Sequence, residues 1–86
     1  ELSIWIDWLD TLLFLQEWEK AQTIGQQAKE FYPEEIALDF KIAGCFHKMG
    51  KTIEMEYYLQ NIKSNYTSLP KEVLDLFPQL IQLLQQ

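Results

Sequence analysis

The sequence is poor in the residues that cross-link a chain or interrupt its order. Its 86 residues include one cysteine, Cys45, together with three glycines and three prolines. A single cysteine cannot form a disulfide within the chain, and this composition is typical of a reducing compartment such as the cytoplasm. Because no stretch is poor in apolar residues, we expect one ordered domain without a flexible linker.

Long apolar runs and an excess of basic charge are also missing. The longest apolar run covers residues 12–15, whereas a membrane-spanning helix needs roughly 18 apolar residues. Seven basic and 13 acidic residues give a net charge of −6, and eight of the acids lie within residues 1–35. Phosphate backbones and anionic membranes repel such a chain. We therefore predict no membrane insertion and no nucleic-acid partner.

Groups that could carry catalysis or hold a metal ion are few and poorly spaced. His47 is the only histidine, and Cys45 lies two positions before it, so on a helix the two side chains point about 200° apart. This spacing disfavours a shared metal ion and a Cys–His nucleophile pair. Asp7 and Asp10 share a helical face and could form an acid–base pair, although a solvated acidic face is the favoured alternative. With no glycine-rich phosphate loop and no Ser/His/Asp set, we predict that the protein is not an enzyme and has neither metal nor cofactor.

Helical periodicity dominates what the sequence does contain, and it predicts five helices. They cover residues 3–15, 18–31, 33–49, 53–66 and 70–86. Pro33 is expected in the first turn of the third helix, and Gly50 is expected to end that helix in the left-handed conformation. Pro78 should kink or split the fifth helix, because an interior proline removes a backbone hydrogen bond. The short connections make neighbouring helices antiparallel.

The first two helices align with the next two without a gap when position 8 is placed on position 42. This alignment places Gln16 on Gly50, and it pairs these apolar residues: Trp8 with Ile42, Leu9 with Ala43, Leu12 with Phe46, Leu15 with Met49, Ala21 with Met55, and Ala28 with Ile62. A helix-turn-helix unit with this period, roughly 34 residues, resembles the tetratricopeptide repeat. The residues that carry the resemblance are Trp8, Leu9, Trp18, Ala21, Ala28, Pro33, Ile42, Ala43, Phe46, Gly50 and Leu59.

Several positions depart from the family pattern. The departures are Leu9 for a small residue, Gln16 for the turn glycine, Met55 and Ile62 for alanines, and a late Leu69-Pro70. The resemblance covers residues 2–69 and implies an all-α fold. Its two antiparallel helix-turn-helix repeats, 2–35 and 36–69, would form a right-handed superhelix capped by a C-terminal helix, 70–86. A generic helical bundle is the alternative. Because residue 1 is Glu rather than Met, we expect the chain to be part of a longer protein.

The resemblance implies that the first helix of each repeat lines a concave groove for a peptide or a partner helix. Carried over by helix position, the predicted groove residues are Ile6, Asp10, Leu13, Phe14, Phe40, Lys41, His47 and Lys48. One subclass of the family holds C-terminal carboxylates with a set of basic and amide residues at fixed groove positions. Those positions carry Ser3, Ile6, Asp10, Ala37, Phe40 and Lys41 here, so this carboxylate clamp is absent. A neutral or basic apolar segment fits better. The alternative is that the same side chains pack the repeats against each other.

The first helix is apolar on more than one stripe, which leaves Trp5, Ile6, Leu13 and Phe14 in excess of its core set. We expect further repeats or self-association to cover these side chains. The resemblance implies an adaptor or scaffold that binds proteins. The alternatives are a regulatory or sensor domain fused to a catalytic or DNA-binding domain, and a small secretion-type chaperone. Asn65 begins a glycosylation triplet that would matter only in a secreted protein.

Overall fold

A computed structural model describes residues 1–86, and helices are its only regular elements. Six α-helices follow in order, with one 3₁₀ turn at Tyr66–Ser68 between the fourth and the fifth. They are α1 (Leu2–Phe14), α2 (Trp18–Phe31), α3 (Ile36–Lys48), α4 (Thr52–Ile62), α5 (Lys71–Leu74) and α6 (Pro78–Leu84). The predicted all-α class is confirmed. None of these helices combines the length and the hydropathy that crossing a membrane requires.

The backbone repeats with the same period that the side-chain pattern indicated. The displacement that carries the start of α1 onto the start of α3 also carries the end of α1 onto the end of α3, and the start of α2 onto the start of α4. Gln16 and Gly50 are the only residues with positive φ, at 58° and 72°. After each, the next amide donates to a carbonyl five residues earlier, from Glu17 to Leu12 and from Lys51 to Phe46, both at 2.9 Å. Each hairpin therefore reverses through the same left-handed helix end.

Helix α3 is the centre of the molecule. Every residue from Ala37 to Phe46 is buried, because α2 and α4 pack against it and α5 covers part of it. A helix that is apolar on nearly all sides is stable only where neighbours cover all of those sides. The close approach of α2 depends on Gly25, where a Cβ would lie 2.7 Å from Cγ1 of Ile42.

Helix α3 also buries a carboxylate, Asp39, which α2 neutralises. The Lys29 ammonium lies 3.0 Å from both carboxylate oxygens of Asp39. Burial raises the pKa of Asp39 above its ordinary value, and the hydrogen bond and charge of Lys29 partly oppose that shift. A buried charge of this kind is tolerated only with a partner. The pair therefore ties α2 to α3 beside the apolar core.

The C-terminal segment forms two helices, as the prediction of a kink or split at Pro78 allowed. Helix α5 ends at Leu74, and Pro78 is the first residue of α6. Between them Phe77 turns inward onto α3, where a Cβ at Gly44 would overlap its ring. The Phe77 ring also lies 6.1 Å from that of Phe40, measured between centroids. Because Gly44 has no side chain, the C-terminal segment reaches the backbone of the central helix.

Two predicted helix boundaries were wrong. Pro33 does not lie in the first turn of the third helix, since α3 begins at Ile36. The Glu35 amide bonds to the Tyr32 carbonyl at 3.1 Å, and the Lys29 ammonium donates to the Pro33 carbonyl at 2.6 Å, so these residues form a separate turn. The fourth helix stops at Ile62 rather than at residue 66.

Candidate functional site

A cleft of about 470 Å³ opens between the C-terminal end of α1 and the turn that joins α5 to α6. It is lined by Asp10, Leu13, Phe14, Gln16, Trp18, Lys48, Leu76 and Phe77. The left-handed turn at Gln16 starts α2 at Trp18, and the break before Pro78 places Leu76 and Phe77 opposite. Two departures from regular helix therefore shape this cleft.

Four of the eight predicted groove residues line the cleft, namely Asp10, Leu13, Phe14 and Lys48. Leu13 is buried and belongs to its deeper part, together with Phe77. Phe14 is 86% exposed and Leu76 is 41% exposed, so these two side chains stand at its edge. A cleft with two exposed apolar side chains at its edge and buried apolar residues in its lining is an arrangement that a partner side chain can fill.

The other four predicted groove residues do not line this cleft, and two of them need correction. Phe40 has no exposed surface, because Phe77 lies against it. Lys41 is also buried, and its ammonium donates to a carboxylate oxygen of Asp10 at 2.8 Å. Neither side chain faces solvent where a partner could reach it. Ile6 and His47 are half-buried and lie outside the lining.

Charge is distributed unevenly among the lining residues. The carboxylate of Asp10 is about half exposed, and its ion pair with Lys41 cancels part of its field. The Lys48 ammonium lies 5.8 Å from the centroid of the Trp18 ring, a distance at which the ring attracts a cation. The Trp18 and Phe77 rings pack edge to face, with centroids 6.2 Å apart. The cleft is thus mainly apolar, with one half-neutralised carboxylate and one ammonium among its lining.

The one cysteine is not among the residues that line the cleft. Cys45 is buried, and burial raises the pKa of its thiol to about 12, so very little thiolate exists near neutral pH. No group of three or more His, Cys, Asp or Glu side chains is arranged to hold a metal ion.

Sequence reasoning did not assign Gln16, Trp18, Leu76 and Phe77 to a site. Gly44 carried the signal for Phe77, because a glycine inside a helix often marks the close approach of another segment. The pairing of Gln16 with the turn glycine Gly50 marked the turn before Trp18. Nothing local in the sequence indicated that Leu76 would line the same cleft as Phe14.

The predicted excess apolar surface of the first helix is only partly exposed. Leu13 is buried, Trp5 and Ile6 are half-buried against the core, and Phe14 is exposed. Ile4 and Trp8 are more exposed than Trp5 and Ile6. Beside Trp8 is a second cavity, of about 230 Å³, lined by Trp8, Leu12, Glu19, Lys20, Thr23 and Ile24.

No family model, curated protein or solved structure matches this chain. What the structure itself defines is the class, an all-α protein of paired helices. Its two hairpins are equivalent in sequence position and in turn geometry, and a split C-terminal segment packs on the central helix.

Proposed function

We propose that this protein is an interaction module of the tetratricopeptide-like class, which binds a peptide or a helix of another protein and acts as an adaptor or scaffold. The observation that carries the proposal is the apolar cleft between Phe14 and Leu76. The repeat period, which recurs in the helix starts and in both left-handed turns, supports the class.

An apolar side chain of the partner is the anchor. It inserts between Phe14 and Leu76 and covers the Trp18 ring. Burying one such side chain contributes about 1.5–3 kcal/mol to binding. The exposed half of Asp10 and the chain's net charge of −6 favour a neutral or basic segment.

Selection of displayed peptides against the intact chain, followed by measurement of their affinities for variants, tests this function. We expect the selected peptides to bind Phe14→Ala and Leu76→Ser at least about tenfold more weakly, since each change removes one wall of the cleft. Ile53→Ala is the matched control, because Ile53 is 85% exposed on α4 and lies outside the cleft. Peptides that bind all three variants as tightly as the original protein would contradict the proposal.

We also propose that the protein is cytoplasmic. The support is its single cysteine, which is buried and unpaired, as expected for a domain that needs no disulfide.

A further inference from the structure

Apolar contacts alone hold the C-terminal segment to the rest of the molecule. No hydrogen bond and no ion pair joins residues 70–86 to any earlier part of the chain. The four helices of the hairpins, in contrast, are joined by three polar side-chain contacts, among them the one from Lys41 on α3 to Asp10 on α1. The segment can therefore leave the hairpins without breaking a polar interaction.

The apolar contacts of the segment come mainly from one stripe of buried side chains. Phe77, Leu80 and Leu84 follow each other at helical spacing, and each is at most 4% exposed. Phe77 fills the space above Gly44 of α3. Of the 19 buried apolar residues in the core, the other 16 precede the segment in the chain. The hairpins therefore keep most of their core when the segment is released.

The two helices of the segment have little stability of their own. Helix α5 has four residues and α6 has seven, and no side chain caps the N-terminus of either. Isolated helices shorter than about 12 residues are marginal in water. Helix α6 also packs against no other helix as closely as the four hairpin helices pack against their neighbours. The order of the segment therefore depends on the docking of its apolar stripe.

The same segment supplies one wall of the cleft. Leu76 and Phe77 line the cleft, and all of its other lining residues belong to α1, to the start of α2 or to the end of α3. Release of the segment would carry Leu76 and Phe77 away from Phe14 and Trp18. The cleft therefore exists only while the segment is docked.

We propose that residues 70–86, named here the strap, are released from the folded hairpins as one unit, and that a partner occupies the cleft only while the strap is docked. The second statement rests on the proposed function. Segments that few contacts hold in place open as cooperative units of this kind. Because the released state has no cleft, a bound partner stabilises the docked strap, and loss of docking expels the partner.

Native-state hydrogen exchange of the intact chain tests the release without a ligand. The protection factors of α6 amides should be at least about tenfold lower than the highest ones in α3. Exchange in α6 should also depend less on the urea concentration, since release of the strap exposes less surface than unfolding of the whole chain. Equal protection and equal urea dependence in the two helices would overturn the proposal.

Two variants distinguish release of the strap from unfolding of the hairpins. Leu84→Ala removes a buried strap contact outside the cleft, so exchange should become at least about tenfold faster in both α6 and α3. Gln27→Gly changes an exposed position inside α2. It should accelerate exchange in α3 about fivefold and leave α6 unchanged, because the hairpins stay folded when the strap is released. Acceleration of α6 by Gln27→Gly would overturn the proposal, and this variant decides the matter even if Leu84→Ala does not fold.

The tightest peptide of the display selection tests the coupling to the cleft. At a concentration about 100 times its Kd, the peptide should slow exchange in α6 by about 100-fold, since only the docked state binds it. Unchanged exchange in α6 with the peptide bound would overturn the second statement alone. A selection that yields no peptide would contradict the proposed function and the second statement with it, whereas exchange in the free protein decides the first.

Discussion

At the scale of single residues, the pairing of Lys29 with Asp39 bears on how stability depends on pH. The folded pKa of Asp39 is raised, chiefly by burial. A carboxyl with a raised folded pKa contributes stability that is fully present below its unfolded pKa and is lost as the pH rises through its folded pKa. At neutral pH the ionised Asp39 therefore lowers the free energy of unfolding, and the charge of Lys29 reduces that loss.

Lys29→Met should reduce the free energy of unfolding at pH 7 by about 3–5 kcal/mol, because it leaves a buried carboxylate without a counter-charge. The pKa of Asp39 should rise further in this variant. The loss relative to the original protein should accordingly shrink on acidification, when Asp39 takes up a proton.

Urea unfolding at pH 7 and at about pH 4.5 measures both effects. Lys20→Met is the control, since the pair of Lys20 with Glu17 is exposed and its ions are 3.8 Å apart; such a pair contributes less than about 1 kcal/mol. An equal loss at the two pH values would show that Asp39 does not titrate as described.

At the scale of elements, the two hairpin turns share one geometry but differ in sequence. Gly50 adopts a φ of 72° without steric cost, whereas Gln16 adopts a φ of 58° with a Cβ. The hydrogen bonds of the two turns are the same, so the difference in strain depends on the side chain.

Gln16→Gly should raise the free energy of unfolding by about 0.5–1 kcal/mol, because the relief of left-handed strain exceeds the added entropy of the unfolded chain. Gly50→Gln should lower it by about 1 kcal/mol. Thermal and urea unfolding of both variants provide the comparison. If Gln16→Gly were destabilising, the contacts of the Gln16 side chain in the cleft would outweigh its backbone strain.

At the scale of the whole molecule, α3 is covered on one side by segments close to it in the chain and on another by the C-terminal segment. Phe77 closes that second side by filling the space above Gly44 and against Phe40. The segment that forms one wall of the cleft therefore also completes the core. Cleft shape and global stability are coupled through this one ring.

Gly44→Ala should destabilise the protein by about 1–3 kcal/mol, although alanine is the better helix former, because the new methyl group displaces the Phe77 ring. Hydrogen exchange should show the loss of protection first in α5 and α6. Phe77→Leu provides the matched test. The loss of unfolding free energy in the double variant should be smaller than the sum of the losses in the two single variants. Additive effects would show that the two residues do not meet.

The local pattern of the sequence was sufficient to predict several features of the fold. The spacing of apolar residues predicted the helices, and the period of roughly 34 residues predicted the equivalence of α1 with α3. Pro78 predicted the kink or split in the last helix. Each of these depends on residues within a few turns or on a comparison of the chain with itself. Two helix boundaries were predicted wrongly, the start of α3 near Pro33 and the end of α4 at Ile62. Hydrogen bonds within the turns, and the one from Lys29 to the Pro33 carbonyl, set these boundaries.

The sequence alone determined the all-α class, the helical hairpins, the repeat period and the two left-handed turns at Gln16 and Gly50, because backbone geometry makes these local. Only the tertiary structure decided which apolar faces are covered. In the tertiary structure Phe40 is buried against Phe77, and Lys41 is buried and paired with Asp10. Ile4 and Trp8 are exposed, although Leu38 and Ile42, their equivalents in the second repeat, are core. The physical reason is that apolar patterning specifies that a face will be covered, while the segment that covers it is chosen by packing across the whole chain.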